Sequence, residues 1–342
     1  MIEIFAVTTR GLESVSADEI AALDQVHVRD VSYRRVTAQC TGPLPPLLQL
    51  RTVDDVFLNV GTWLHIVPDR AALSAIRQMS SQLNLYRAAA IVEALRPISR
   101  PPIFSVTANF VGQRDYTTPE IKEACSIGVI ESHYGWTYTT DDREADLNVR
   151  LFIEHETAFV GVRLAAAPLQ NRDYKLAHIP GSLKPPVAAG LVRLAGVGLG
   201  TWLVDPCCGA GTILLEAAHW DIRTLGGDNN PEAVAAMRIN TAASSLNSSV
   251  ALWDARGLPL ADRSVAHMAT NPPWGRKVEI ETDLRSFYAS LGREVARVLA
   301  DGGRAVVLTW APDWVRAWPL KVEREIEISL YGRQPTIMVL TR

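Results

Sequence analysis

Cysteine is scarce. The chain of 342 residues has four, and two of them are neighbours, Cys207 and Cys208. That rules out a disulfide framework and a C-x-x-C pair, and a reduced, cytoplasmic setting is expected. No apolar run approaches the ~20 residues of a membrane span. The opening Met1-Ile2-Glu3-Ile4-Phe5 has no basic region ahead of its apolar residues, so no signal peptide is expected. The seven histidines show no H-x-x-x-H or Cys/His ligand spacing, and no metal is expected. Internal repeats and low-complexity tracts are missing too. A basic surplus is also lacking: the net charge is −3, with −5 over residues 1–165 and +2 over residues 166–342. Any nucleic-acid partner must therefore be held by a local patch, since there is no bulk attraction.

What is present is ordinary for a soluble globular chain, 48% hydrophobic and 21% charged, with length enough for about two or three domains. Its organising stretch runs Leu203-Val204-Asp205-Pro206-Cys207-Cys208-Gly209-Ala210-Gly211-Thr212. A short apolar strand leads into a tight glycine loop and then a helix, which brings backbone N–H groups and a positive dipole end together. No lysine follows the glycines, so this is not the phosphate-gripping loop of an NTPase, and it is a poor G-x-G-x-x-G. An acid ending the strand four positions before the first glycine suits S-adenosylmethionine instead. A carboxylate answers the ammonium of that cofactor, and a close backbone approach answers its carboxylate. The two adjacent cysteines lie in this loop, where small side chains fit, and are not placed as nucleophiles.

Along the chain, residues 1–60 read strand–helix–strand–strand–helix–strand, the order of a ferredoxin-like α+β unit. Within it Ser16 and Glu19 suggest a capping box for a helix over 17–23. Residues 61–165 read as a second α+β unit. It has helical stretches over 71–95 (with a break near Ser80-Ser81) and 118–134, and strands over 103–110, 145–153 and 157–164. Residues 166–183 lack periodicity and read as a linker. A helix is expected from Leu183, capped by Ser182 with Pro185 and Pro186 in its first turn. From there strands and helices alternate over 184–342, the mark of a mostly parallel α/β sheet. That sheet is expected to finish in a hairpin around Gly332-Arg333-Gln334-Pro335.

Ligands of an open parallel sheet sit outside the carboxyl ends of its strands. Four successive strands here end in Asp205, Asp228, Asp254 and Asn271. Asp228 lies 17 residues after Gly211, near the spacing expected of a carboxylate that takes ribose hydroxyls. Asp254 is placed to accept from an adenine amine, with the Ala255 N–H against the ring, and Asp205 lies nearest the methionine ammonium. Cys207, Thr212 and Asn229 complete the expected cofactor contacts. Asn271-Pro272-Pro273-Trp274 is the sharpest signal. Two prolines end the strand and remove two donors, leaving the Asn271 amide and the Pro272 carbonyl to accept both protons of an exocyclic amine. Its lone pair then faces a methyl donor, and positioning supplies most of the rate. Trp274 offers a face to a flat base, worth ~1–3 kcal/mol. Arg276 and Lys277 head a polar loop able to close over a base or touch phosphate.

Two stretches carry a resemblance to known families. Phe104 to Phe110, Arg114 to Ile121, Asp146 to Val149 and Phe159 to Val162 resemble a THUMP domain, an RNA-binding module, which implies phosphate and stacking contacts from Arg114 and Tyr116. The motif (Asp/Asn)-Pro-Pro-(Tyr/Phe/Trp), with the Asp205 loop and Ser182-Leu183-Lys184-Pro185-Pro186, resembles the THUMP-containing RNA guanine-N2 methyltransferases. The subgroup that modifies position 6 of the tRNA acceptor stem is the nearest by size and order. The resemblance implies an S-adenosylmethionine-dependent enzyme acting on RNA, and a monomer is expected. It also implies that Asn271 to Trp274 grip the guanine amine and that Asp205, Gly209, Gly211, Asp228 and Asp254 bind the cofactor. Trp274 stands where the subgroup usually has Tyr. An adenine-N6 or protein glutamine methyltransferase, or an inactive RNA-binding scaffold, are the alternatives.

Overall fold

The computed structural model describes residues 1–244, 246–275 and 283–342. The chain divides into two compact units. The first comprises residues 1–7, 19–50 and 54–169; the second comprises 8–18, 51–53 and 170–342.

The first half of the chain runs β1 (Ile2–Thr8), α1 (Glu13–Ala21), β2 (Val26–Ser32), β3 (Arg35–Cys40), β4 (Val53–Trp63), α2 (Ala71–Ser81), α3 (Leu85–Glu93), β5 (Ile103–Val111), α4 (Thr118–Ser132), β6 (Thr137–Tyr138), β7 (Leu147–Glu154) and β8 (Thr157–Arg163). All eight strands share one sheet in the order β2-β3-β1-β4-β8-β7-β5-β6. The expected boundary at residue 60 thus falls inside β4, which passes pairing from one half of the sheet to the other. The expected helix break appears between α2 and α3, where the Asn84 side chain caps α3 by accepting from the Arg87 N–H. Helices α2 and α4 cross closely at Gly128, where a Cβ would lie 2.2 Å from the Arg77 carbonyl.

Two expected caps fall elsewhere. Ser16 lies inside α1, its hydroxyl within 2.7 Å of the Thr8 hydroxyl and donating to the Thr52 carbonyl. A buried tertiary partner outcompetes the cap. The capping box is instead Thr117 with Glu120, at the start of α4.

The second unit adds α5 (Pro185–Leu194), β9 (Trp202–Asp205), α6 (Thr212–Ala218), β10 (Arg223–Asp228), α7 (Pro231–Ser244), β11 (Ser249–Leu252), β12 (Val265–Thr270), α8 (Leu284–Val298), β13 (Leu299–Thr309), α9 (Pro312–Arg316), β14 (Lys321–Glu327) and β15 (Thr336–Thr341). Lys184 is the N-terminal cap of α5, and Ser182 instead accepts from the Ile179 N–H. Seven strands form one sheet, β11-β10-β9-β12-β13-β15-β14. The first five are parallel and the last two antiparallel, as the expected terminal hairpin requires. This is a Rossmann-like α/β sheet. Both faces are covered, and side chains alternate between them. Leu203, Val306, Leu308, Ile337 and Val339 face α5 and α6, while Val204, Ala305, Val307, Met338 and Leu340 face α8 and α9. Leu12 and Val15 belong to the first of these cores, which is why residues 8–18 group with the second unit.

Candidate active site

Parallel register sets the site. Asp205 pairs with Gly226, Asp228 with Leu252, and Thr270 with Val307, so the carboxyl ends of β9, β10, β11 and β12 lie along one edge. Asp205, Asp228, Asp254 and Asn271 stand at those ends, as the sequence pattern implies.

The glycine loop is held from several sides. The Asp205 carboxylate accepts the Cys207 N–H at 3.1 Å, the Cys208 N–H donates to the Gly227 carbonyl at 2.9 Å, and the Gly211 N–H closes the turn on Cys208 at 2.9 Å. Gly211 is left-handed (φ +82°) and so close to α7 that a Cβ would lie 2.6 Å from Met237. Asp228 accepts from the Gly209 N–H at 2.9 Å and the Asn230 N–H at 3.0 Å. Trp253 lies against Gly227 and donates its indole N–H to the Pro206 carbonyl at 3.0 Å. Asp205 is buried, and burial pushes its carboxyl up to about 7, the nearby Asp228 adding to the shift. The thiols of Cys207 and Cys208 are driven well above their ordinary range, chiefly by burial, which removes them as nucleophiles.

Other expected contacts are placed as follows. Thr212 and Ala255 are buried beside the loop and the β11 end, and Asn229 is exposed beyond Asp228. Asp254 is partly exposed and gripped by Arg256 through Nε and Nη2 at 2.6–3.0 Å, which holds its carboxyl below the usual range. Asn271 Oδ1 is buried with no hydrogen-bond partner among the described residues. Trp274 is a correction in part. It is half-buried and packs against the core that includes Leu183 and Ile213, and its N–H is buried with no partner among the described residues. It is a packed wall, not a free roof.

Two expected RNA contacts are structural instead. Tyr116 is 2% exposed and its hydroxyl donates to the Val67 carbonyl, so the ring offers no face to a base. Arg114 directs its guanidinium at the Ile66 and His155 carbonyls and at the Tyr116 hydroxyl. Local sequence cannot reveal that these groups meet inward-facing carbonyls. Arg276 and Lys277 lie outside the described residues.

Of residues 166–183, expected as a linker, 170–183 group with the second unit and pack on the site. Tyr174 and Arg172 bond to Glu216 on α6, Ala177 is bound by Asn240 on α7, and Ile179 lies 3.3 Å from where a Gly209 Cβ would sit. Only the absence of periodicity was visible in the sequence, so Glu216 and Asn240 carried no signal there.

Residues 172–316 match the family model described as RMKL-like, methyltransferase domain. Over 98% of both chains, this chain is 29% identical to a tRNA (guanine(6)-N2)-methyltransferase of Thermus thermophilus. A mouse tRNA (guanine(6)-N(2))-methyltransferase, THUMP3, is 30% identical over 64% of this chain, which spans 46% of that longer protein. Among solved structures, TrmN from Thermus thermophilus superposes over the full length of both chains with a TM-score of 0.78 at 26% identity.

The residues around the glycine loop fit S-adenosylmethionine. One carboxylate is buried beside a loop of close-approaching glycines, a second stands at the next strand end, and a third follows it. Beside them, Asn271 holds an acceptor with no partner among the described residues. Among the described residues no cluster of His, Cys, Asp or Glu suits a metal ion. No helix among them is long and apolar enough to cross a membrane.

Proposed function

We propose that this chain is an S-adenosylmethionine-dependent RNA methyltransferase that modifies the exocyclic N2 amine of a guanosine, at position 6 of the tRNA acceptor stem. The observation that carries this reading is the buried Asn271 Oδ1 at the end of β12, which has no hydrogen-bond partner among the described residues. Buried polar atoms are nearly always satisfied, and an exception next to a cofactor loop calls for a ligand. The full-length likeness to the Thermus enzyme supports guanine N2 as that ligand's amine.

S-adenosylmethionine, when bound, supplies an electrophilic methyl carbon on a sulfonium and leaves as the thioether. Asp205, Gly209 and Gly211 hold its amino-acid end, and Asp228 takes the ribose hydroxyls. Asp254 and the Ala255 N–H hold the adenine, with Cys207, Thr212 and Asn229 alongside. Asn271 Oδ1 and the Pro272 carbonyl accept the two protons of the guanine amine. That grip counters delocalisation of the lone pair into the ring and fixes its line of attack. As the new N–C bond forms, one of the held protons becomes acidic and passes to solvent, so no strong base is needed. Trp274 walls the pocket with the side of its indole not packed on the core. Guanosine within a stem must leave its stack to reach this edge.

Residues 1–165 act as the ferredoxin-like and THUMP-like region that brings the tRNA, and residues 184–342 carry the chemistry. The protein works as a cytoplasmic monomer. Radiolabelled methyl transfer to unfractionated tRNA and rRNA, followed by nucleoside analysis, tests the reading. N2-methylguanosine is expected, and Asn271→Ala should abolish labelling with cofactor binding nearly intact. Label found only in protein, or as N6-methyladenosine, overturns it.

A further inference from the structure

A second group of residues shares the sheet edge with Asn271. Trp310 follows the last residue of β13, the strand paired with β12, and such strands lie about 4.8 Å apart. The two strand ends are also tied by side chains. The Thr309 hydroxyl bonds to the Tyr288 hydroxyl at 3.2 Å, and Tyr288 donates to the Pro273 carbonyl at 3.4 Å. Trp310 is nonetheless 49% exposed, with the Arg333 guanidinium 5.6 Å from its ring centroid.

Arg333 comes from the hairpin between β14 and β15, which returns to this edge because Thr309 pairs with Thr336. Leu330 and Arg333 bond to each other in both directions, around a turn in which Tyr331 (φ +52°) and Gly332 (φ +73°) are both left-handed. That is the geometry of a type I′ turn, which favours Asn or Gly at its first position. A bulky aromatic there is costly and calls for a reason. Tyr331 is 59% exposed, its hydroxyl donates to the Ser182 carbonyl at 3.2 Å, and Lys184 Nζ lies 5.9 Å from its ring. Half of the described arginines of this unit, Arg256, Arg304 and Arg316 among them, are paired with carboxylates. Arg333 and Lys184 have no such partner among the described residues and lie over aromatic faces instead.

Exposed rings interleaved with uncompensated cations make a surface for single-stranded nucleic acid: bases stack on the rings, and phosphates meet the charges. We propose that Trp310, Tyr331, Arg333 and Lys184 form a binding site for the unstacked RNA strand flanking the target nucleotide. Trp310 stacks a neighbouring base, and the two cations hold its phosphates. This rests on the RNA methyltransferase reading and adds the residues that seat the substrate. It also places a basic patch in the unit with the positive charge balance.

The test uses the full chain and unfractionated tRNA in filter binding, with titration of S-adenosylhomocysteine and the thermal midpoint as controls. Trp310→Ala should weaken tRNA binding by roughly tenfold, and Trp310→Phe should restore most of it. Arg333→Ala should weaken binding less and should lower the slope of log affinity against log salt by about 0.7. S-adenosylhomocysteine affinity and thermal midpoint should stay at wild-type values in all three. If the wild type binds and methylates tRNA while Trp310→Ala binds it equally well, the inference falls and the enzyme reading stands. If the wild type neither binds nor methylates tRNA, both fall.

Discussion

Asn240 donates to the Ala210 carbonyl at 3.0 Å, tying α7 to the centre of the glycine loop. The same amide nitrogen donates to the Ala177 carbonyl at 3.0 Å, and its oxygen accepts the Ala177 N–H at 2.8 Å. One buried side chain thus fixes both the loop and the segment that covers it.

Asn240 is therefore expected to set cofactor affinity without touching the cofactor. In Asn240→Asp both donors are lost and a carboxylate faces two carbonyls. Each buried group left unanswered costs about 1–3 kcal/mol. S-adenosylhomocysteine affinity should fall at least tenfold by calorimetry, with tRNA affinity unchanged. Equal losses of both affinities would mean a general folding defect.

Glu216 is fully buried, yet four hydrogen bonds converge on it. Arg51 reaches both its oxygens, at 2.8 and 2.9 Å; Arg172 donates at 2.9 Å and Tyr174 at 2.7 Å. Glu216→Gln removes the carboxylate that Arg51 and Arg172 share, a loss of about 3–5 kcal/mol. Urea unfolding should show it as a lowered midpoint. A change below about 1 kcal/mol would mean that Arg51 and Arg172 find other partners or water.

Asp205 carries the pH dependence of the site. Its carboxyl stands at about 7 in the folded chain, above the ordinary 3.8, so the native state binds more protons than the unfolded one between those values. This contribution to stability is full below about pH 4 and is lost as pH rises through 7. Asp55, raised to about 6 chiefly by burial, acts in the same direction, so the comparison must be with Asp205→Asn. A cofactor ammonium beside Asp205 would reverse the shift, and binding near pH 6 should release a proton. Calorimetry in buffers of different ionisation enthalpy measures that release. A value of zero, or one unchanged by Asp205→Asn, would place the ammonium elsewhere.

The strand-end series Asp205, Asp228, Asp254 and Asn271 was legible in the sequence, because a parallel sheet buried on both faces makes short apolar runs whose polar ends must share one edge. The glycine loop was legible for a similar local reason. Left-handed backbone at Gly209 and Gly211 demands glycine wherever the rest of the chain lies. Exposure was not legible. Nothing near Tyr116 in sequence tells that its hydroxyl meets Val67, and nothing near Ser16 tells that Thr52 claims its hydroxyl in place of a cap. Glu216 collects partners from residues 51, 172 and 174, and Trp310 meets Arg333 only because a hairpin returns beside β13. Local chemistry determined the glycine loop and the Asn271-Pro272-Pro273 strand end of this protein, since backbone angles and strand polarity are properties of neighbouring residues. Tertiary structure alone decided which charges are buried supports and which face solvent, because burial depends on segments far apart in the chain.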